Sequence, residues 1–443
     1  MSDLATMRTL DFADTKRKST SARSYGVKIA PANGATFQAG GQLIFNFPTL
    51  ANSFADMDTA YIKMKVKNTN GNAVQFDSGS AYSLFQNVST VTAGQTLGEI
   101  KNYSALMSLM RDLNTSPQFS SVSHYLEGAK VDGDRARGAS IAATTGEREV
   151  CLPLSLLGIV ESQPRRLLPL SASAPISLRV DLNDAGNAFY VEAGTPALTN
   201  AQITIVDCEL CIGSIVELDP IVAQMVDNAC GGVYTIMTSD YVHSSSTVAA
   251  GVSAHTATLG MSRSSLDTIY ITHRNSANIN AANQVTQGNR SAMTLTQFQI
   301  SIDGTLYPAR PVKKSADGAE VMATLLCADH SLVFKEKQSN FTNAVVGTVG
   351  VAGTYNLANG TLATPGTFAN DEVGSFLAAV DLDQQGTGGS DRIFAGVDTL
   401  SSTVQYLGQY TSVSAAATVD FWGRATVAYT LDKNAGNVWV ASV

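Results

Sequence analysis

The chain has 443 residues, enough for two or more domains at roughly 100–200 residues each. Apolar residues make up 44% and charged residues only 15%, well under the usual ~25%, with Thr, Ser, Asn, Gly and Ala taking up the difference. That balance argues against disorder and for turn-rich β-sandwiches with large uncharged contact surfaces, and the net charge of −8 argues against a nonspecific grip on nucleic acid by the whole surface.

No apolar run reaches the ~18–20 residues that a membrane-spanning helix needs. The start, Met1-Ser2-Asp3, lacks the pattern of a signal peptide, so the expectation is synthesis in a cytoplasm. Residues 1–24 are polar, with Arg8, Lys16, Arg17, Lys18 and Arg23 set against Asp3, Asp11 and Asp14. They read as a weakly basic arm with no core of its own. Such an arm either contacts acidic material (nucleic acid or anionic lipid head groups) or is simply a frayed terminus.

Strands follow over Val27–Ile29, Gly41–Phe47 and Ala60–Val66. In the last, Tyr61, Lys63 and Lys65 alternate with Ile62, Met64 and Val66, which puts the lysines on a solvated face or a subunit contact. Leu84–Thr92 is rich in Val, Thr and Phe and reads as a strand. It ends at Ala93-Gly94-Gln95, a turn in which Gly94 is free to take a positive φ. Beyond a short second strand, Tyr103, Leu106, Met107, Met110 and Leu113 fall at helical spacing, with Asn102 or Ser104 as candidate caps. Gly128–Arg148 reads as loop, Val150–Leu157 as a buried strand or turn, and Ile176–Leu182 and Ala201–Ile215 as strands. Val216–Gly232 is the candidate junction, with one helical turn over Ile221–Val226.

The second half repeats the grammar of the first. Val233–Val242 and Ser264–His273 give strands, and Thr296–Ile302 alternates cleanly with Phe298, Ile300 and Ile302 on one face. Asp303-Gly304 is a strong hairpin signal, followed by Leu306, Tyr307, and a helical pattern over Ala319–Phe334. Gly94 and Gly304 lie 210 residues apart (304 − 94), close to half the chain, as in a duplicated β-domain. Asn275–Asn289 is a polar loop, Asn340–Gly374 a long surface excursion, and Thr403–Tyr410, Thr418–Leu431 and Val438–Val443 are closing strands.

Catalytic signatures do not emerge. His124, His243, His255, His273 and His330 are scattered, and no phosphate loop or nucleophile elbow is present. The five cysteines, Cys151, Cys208, Cys211, Cys230 and Cys327, are an odd number, which argues against a disulfide framework. Cys208 and Cys211 form a Cys-x-x-Cys, but in a strand such residues point to opposite faces, so they read as two small buried side chains rather than a metal or redox pair. No cofactor and no metal is expected, and the chain is not expected to be an enzyme.

Asp58–Val66, the segment from Ser83 through Gly94 and Tyr103 to Leu113, Phe298–Gly304 with Pro308, and Phe421–Trp439 together resemble the double jelly-roll major capsid proteins of icosahedral, non-tailed DNA viruses. The resemblance covers most of the chain from Tyr25 onward. It implies an all-β fold of two tandem eight-stranded jelly rolls, each with a short helix after a Gly-turn hairpin. The expected divisions are an arm over 1–24, a first roll over 25–217, a linker over 218–232 and a second roll over 233–443, with a long surface loop around 335–395. It further implies a homotrimer, built as a pseudo-hexameric capsomer, that joins neighbouring capsomers and minor or penton proteins in a virion shell around DNA. Arg8, Lys16, Arg17, Lys18 and Arg23 would face inward, towards an internal membrane or the genome. The Asn275–Asn289 and Asn340–Gly374 loops would face outward, available to a host receptor. The rival reading is a carbohydrate-binding or adhesive β-sandwich, which asks for exposed aromatic platforms.

Overall fold

The computed structural model describes residues 22–114, 124–129, 137–160, 167–191, 198–280, 286–288, 290–314, 318–328, 355–356, 361–362, 376–382, 396–413 and 415–442. The Asn340–Gly374 excursion and the 335–395 loop fall mostly outside them, as does the helical pattern past Ala328.

Two packed sheets form the first half. One orders Ala22–Ile29, Ile203–Leu218, Ser53–Asn68 and Gly146–Pro153, all antiparallel. The facing sheet orders Gln42–Asn46, Ile176–Leu182, Phe85–Thr92 and Gln95–Ile100. Numbered along the chain, these eight strands lie as first–eighth–third–sixth over second–seventh–fourth–fifth, the jelly-roll arrangement. Pairing between residues far apart in sequence sets it, because the chain's first strand must wait for its eighth.

The second half has the same order. Val233–Val248, Ala417–Asp432, Leu266–Asn275 and Ala378–Asp381 make one sheet, and Ala254–Leu259, Val404–Tyr410, Leu295–Ile302 and Thr305–Lys313 make the other. Both fourth-to-fifth strand hairpins turn through two left-handed residues: Ala93 (φ 47°) with Gly94 (φ 81°), and Asp303 (φ 48°) with Gly304 (φ 83°). That is the type I′ turn, whose twist matches the strands it joins. A helix follows each hairpin, Tyr103–Asn114 in the first roll and Ala319–Ala328 in the second. Leu106, Leu109, Met110 and Leu113 bury the first, and Val321 and Leu325 the second, as the 3.6-residue period requires.

Local departures from expectation have local causes. Asn102 precedes its helix at φ 53°, and its backbone carbonyl accepts from Ala105 and Leu106 while its side chain turns away to Asp420. The junction is a ten-residue helix, Pro220–Ala229, rather than one turn. Asp219 caps it by accepting from the Ile221 amide at 3.0 Å, with Pro220 in the first turn, where its missing N–H leaves no gap. Arg137–Ile141 is a strand where the small residues read as loop, and Ala254–Leu259 is a strand that the sequence reading passed over.

The larger hydrophobic cluster fills the first roll and continues across the boundary. It takes in Tyr234, Ile236, Tyr270, Trp422, Tyr429, Leu431 and Trp439 from the second. A separate cluster around Phe298, Ile300, Tyr406 and Phe421 fills the second roll. The first roll therefore shares its core with its neighbour.

Candidate assembly interface

Of the five basic arm residues, Arg8, Lys16, Arg17 and Lys18 lie outside the described residues. Arg23 lies in the first strand, exposed, with Nε and Nη2 both 2.7 Å from Oε2 of Glu217 on the paired strand and its guanidinium 5.7 Å from the Tyr25 ring centre.

The surface that the structure builds in most detail is the joint between the two rolls. Gln95–Ile100 of the first roll lies against Val233–Val248 and the closing strand Trp439–Ser442 of the second. Close approach there depends on two glycines. A Cβ on Gly98 would sit 3.0 Å from the Tyr429 hydroxyl, and one on Gly158 would sit 2.7 Å from it. Phe54 and Tyr234 face each other across the boundary at 6.1 Å.

Polar groups complete the joint. Asp420, wholly buried, accepts from Nε of Arg274 at 2.7 Å on one oxygen, and its other oxygen lies 2.9 Å from His243 Nε2. Asn102 of the first roll donates to that second oxygen at 3.4 Å. Burial alone would raise the Asp420 carboxyl, but Arg274 and His243 outweigh it and hold the group below the usual carboxylate range. Arg274 also donates from Nη1 to the Gln287 side chain at 3.2 Å. Asp77 of the first roll accepts from the backbone amides of Thr286 at 2.7 Å and Gln287 at 3.1 Å. Burial pushes its carboxyl up to about 6 despite these donors. Part of the Asn275–Asn289 loop thus ties the second roll to the first.

Two surfaces away from the joint differ in character. Lys63, Lys65 and Lys67 are half-buried along the first roll's third strand. Each is held in ion pairs: Lys63 with Glu149 at 3.3 Å, Lys65 with Asp207 at 3.2 Å, and Lys67 with Glu147 at 2.9 Å. In the second roll the fifth strand, Thr305–Lys313, exposes most of its residues, including Leu306 and Arg310.

The remaining candidates have structural places. Cys208 lies in the core, where burial pushes its thiol up to about 12. Cys211 is buried on the other face, across from Tyr61. His273 is buried with Nε2 2.8 Å from the Tyr410 hydroxyl, and burial lowers it to about 3, so it is neutral. Among the described residues no group of three or more His, Cys, Asp or Glu is placed to hold a metal ion. The joint residues Asp77, Asn102, Gly98, Gly158 and Asp420 were not singled out as interface residues by sequence reasoning. Nothing local marks them, since each partner is more than 50 residues away.

No family model and no curated protein matches the sequence. Solved structures do match in fold. The PBCV-1 virus capsid in its quasi-atomic model aligns over 95% of this chain and 97% of that one, at 10% identity and a TM-score of 0.58. The Faustovirus major capsid protein aligns over 93% and 91%, at 10% identity and 0.59. The mavirus major capsid protein aligns over 100% and 96%, at 12% identity and 0.52. Matched along nearly the whole of each chain, this protein has the double jelly-roll fold that it shares with these viral capsid proteins.

Proposed function

We propose that the chain is a structural major capsid protein, a building block of an icosahedral virion shell rather than an enzyme. The observation that carries this reading is the duplication: two jelly rolls of identical strand order, joined through one helix and a hydrophobic cluster that crosses the boundary, in a chain whose fold follows viral capsid proteins from end to end. A chain holding two of six roll positions reaches a six-cornered outline as a homotrimer. On this reading the capsomer is a pseudo-hexamer, and shells grow through many weak, mostly uncharged contacts closed by symmetry.

The finer parts of the reading extend from there. The arm before the first strand, with Arg8, Lys16, Arg17 and Lys18, faces the interior, towards genome or an internal membrane, while Arg23 is held in the sheet by Glu217. Loops at the far end face the host, neighbouring capsomers and minor or penton proteins complete the shell, and that shell encloses DNA. The protein is made in a host cytoplasm and ends in the virion. The adhesive β-sandwich reading asks for exposed aromatic platforms, yet both tryptophans, Trp422 and Trp439, are buried.

The test is the solution mass of the purified chain by light scattering, with negative-stain images of the same peak. A trimer with a six-cornered outline is expected. A monomer that persists on concentration overturns the reading.

A further inference from the structure

We propose that the chain's own N-terminal arm covers the outer side of the junction helix Pro220–Ala229, with Met7, Leu10 and Phe12 laid against Ile221 and Met225. The inference goes beyond the capsid reading and does not depend on it.

The helix, Pro-Ile-Val-Ala-Gln-Met-Val-Asp-Asn-Ala, is apolar on two sides. Ala223 is buried, and Val226 packs against the hydrophobic cluster that crosses the two rolls. Ile221 and Met225, one turn apart, point the other way and are 72% and 66% exposed. Among the described residues only Tyr125 is a more exposed large apolar side chain. A surface helix normally turns polar residues outward, and one that is apolar on both sides is normally covered on both.

Chain connectivity commits the occupant. Ala22 pairs with Leu218, which immediately precedes the Asp219 cap. The arm therefore enters the sheet at the foot of the helix. Residues 1–21 lie outside the described residues. Beyond Met1, their large apolar side chains are Leu4, Met7, Leu10 and Phe12. Phe12 stands ten positions before Ala22 (22 − 12). The ten-residue helix is about 15 Å long at 1.5 Å per residue, and about five extended residues span that length. The arm can thus reach both Ile221 and Met225. A tether this short holds the arm beside the helix at a high local concentration. A second copy or a lipid surface has no such attachment. Seated there, the arm keeps the outer apolar side of the helix out of water in the free chain.

The test follows oxidation of Met225 by hydrogen peroxide, read by peptide mass spectrometry on the full chain and on the full chain carrying L10E with F12E. Exposure governs how fast a methionine is oxidised, so a rise of about fivefold or more in the Met225 rate is expected in the variant. An unchanged thermal melt is expected with it, because both positions precede the first strand. As an independent readout, a photo-crosslinking amino acid at position 221 of the otherwise unaltered chain is expected to label residues 7–12. In a mixture of isotopically heavy and light chains, those products are expected within one chain. An unchanged Met225 rate, or crosslinks to any other segment, overturns the proposal. Heavy–light products assign the helix to a second copy, and a Met225 rate that falls only when anionic phospholipid vesicles are added assigns it to lipid. Either result also overturns the proposal, and neither bears on the capsid reading.

Discussion

The third strand of each roll occupies the same place in the same fold, and the two have opposite surroundings. In the first roll Ser53–Asn68 alternates between buried and half-buried residues, one face in the core and the other laid out as lysine–carboxylate pairs. In the second roll Leu266–Asn275 is buried at every position but the last. Its polar residues, Asp267, Thr268, Thr272, His273 and Arg274, are buried with the rest. The fold therefore sets where a strand lies, and what covers its second face sets which side chains it can hold. A buried charge on that face needs a fixed partner, whereas a half-exposed one leans on solvent.

Replacing Asp420 tests the covered side. Asp420→Ala removes the acceptor shared by Arg274, His243 and Asn102 and leaves Arg274 buried without its carboxylate. A loss of about 3–5 kcal/mol is expected in urea melts, the range for breaking a buried pair from one side.

The pH dependence sharpens the contrast at Asp77. Its carboxyl sits at about 6 in the folded chain against an ordinary 3.8, so the folded state binds the extra proton between those values. Stability should rise as pH falls from 7 through 6 towards 4, by up to about 3 kcal/mol at 1.36 kcal/mol per pKa unit. Asp420 has the opposite sign. Its lowered carboxyl adds stability that is lost only as pH falls below the ordinary carboxylate range, so the two windows do not overlap. Melts of Asp77→Asn at pH 7, pH 5 and pH 3 are expected to lose the first slope, between pH 7 and pH 5, and to keep the second, between pH 5 and pH 3.

The smallest effect belongs to the open face. Lys65→Ala deletes a side chain bound to Asp207 and Glu147 at the surface. A melting temperature indistinguishable from wild type is expected by calorimetry, since such pairs contribute little. A clear drop would mean that the face is more tightly organised than its exposure implies.

Much of the fold was legible because alternation and turn chemistry are local. Ile176–Leu182 was read to its exact ends, and Asp303-Gly304 announced its hairpin. Ala254–Leu259 was not legible. Ala-His-Thr-Ala-Thr-Leu carries little hydrophobic contrast, and the strand exists because Val404–Tyr410 pairs with it. The joint was the least legible part. The low charge of the chain suggested broad contact surfaces, but not that Gly98 and Gly158 clear space for Tyr429 from the other half of the sequence. Distant pairing leaves no periodic trace.

Under the proposed capsid role, the hydrophobic cluster that crosses between the rolls bears on how a shell would come together. A joint that exists inside a chain forms when the chain folds, at the high local concentration set by a ten-residue helix, and does not depend on how many copies are present. In a ring of six rolls made from three chains, half of the contacts would already be in place before two molecules meet. On the proposed capsid role, nucleation of such a shell has a lower kinetic order than one built from single rolls.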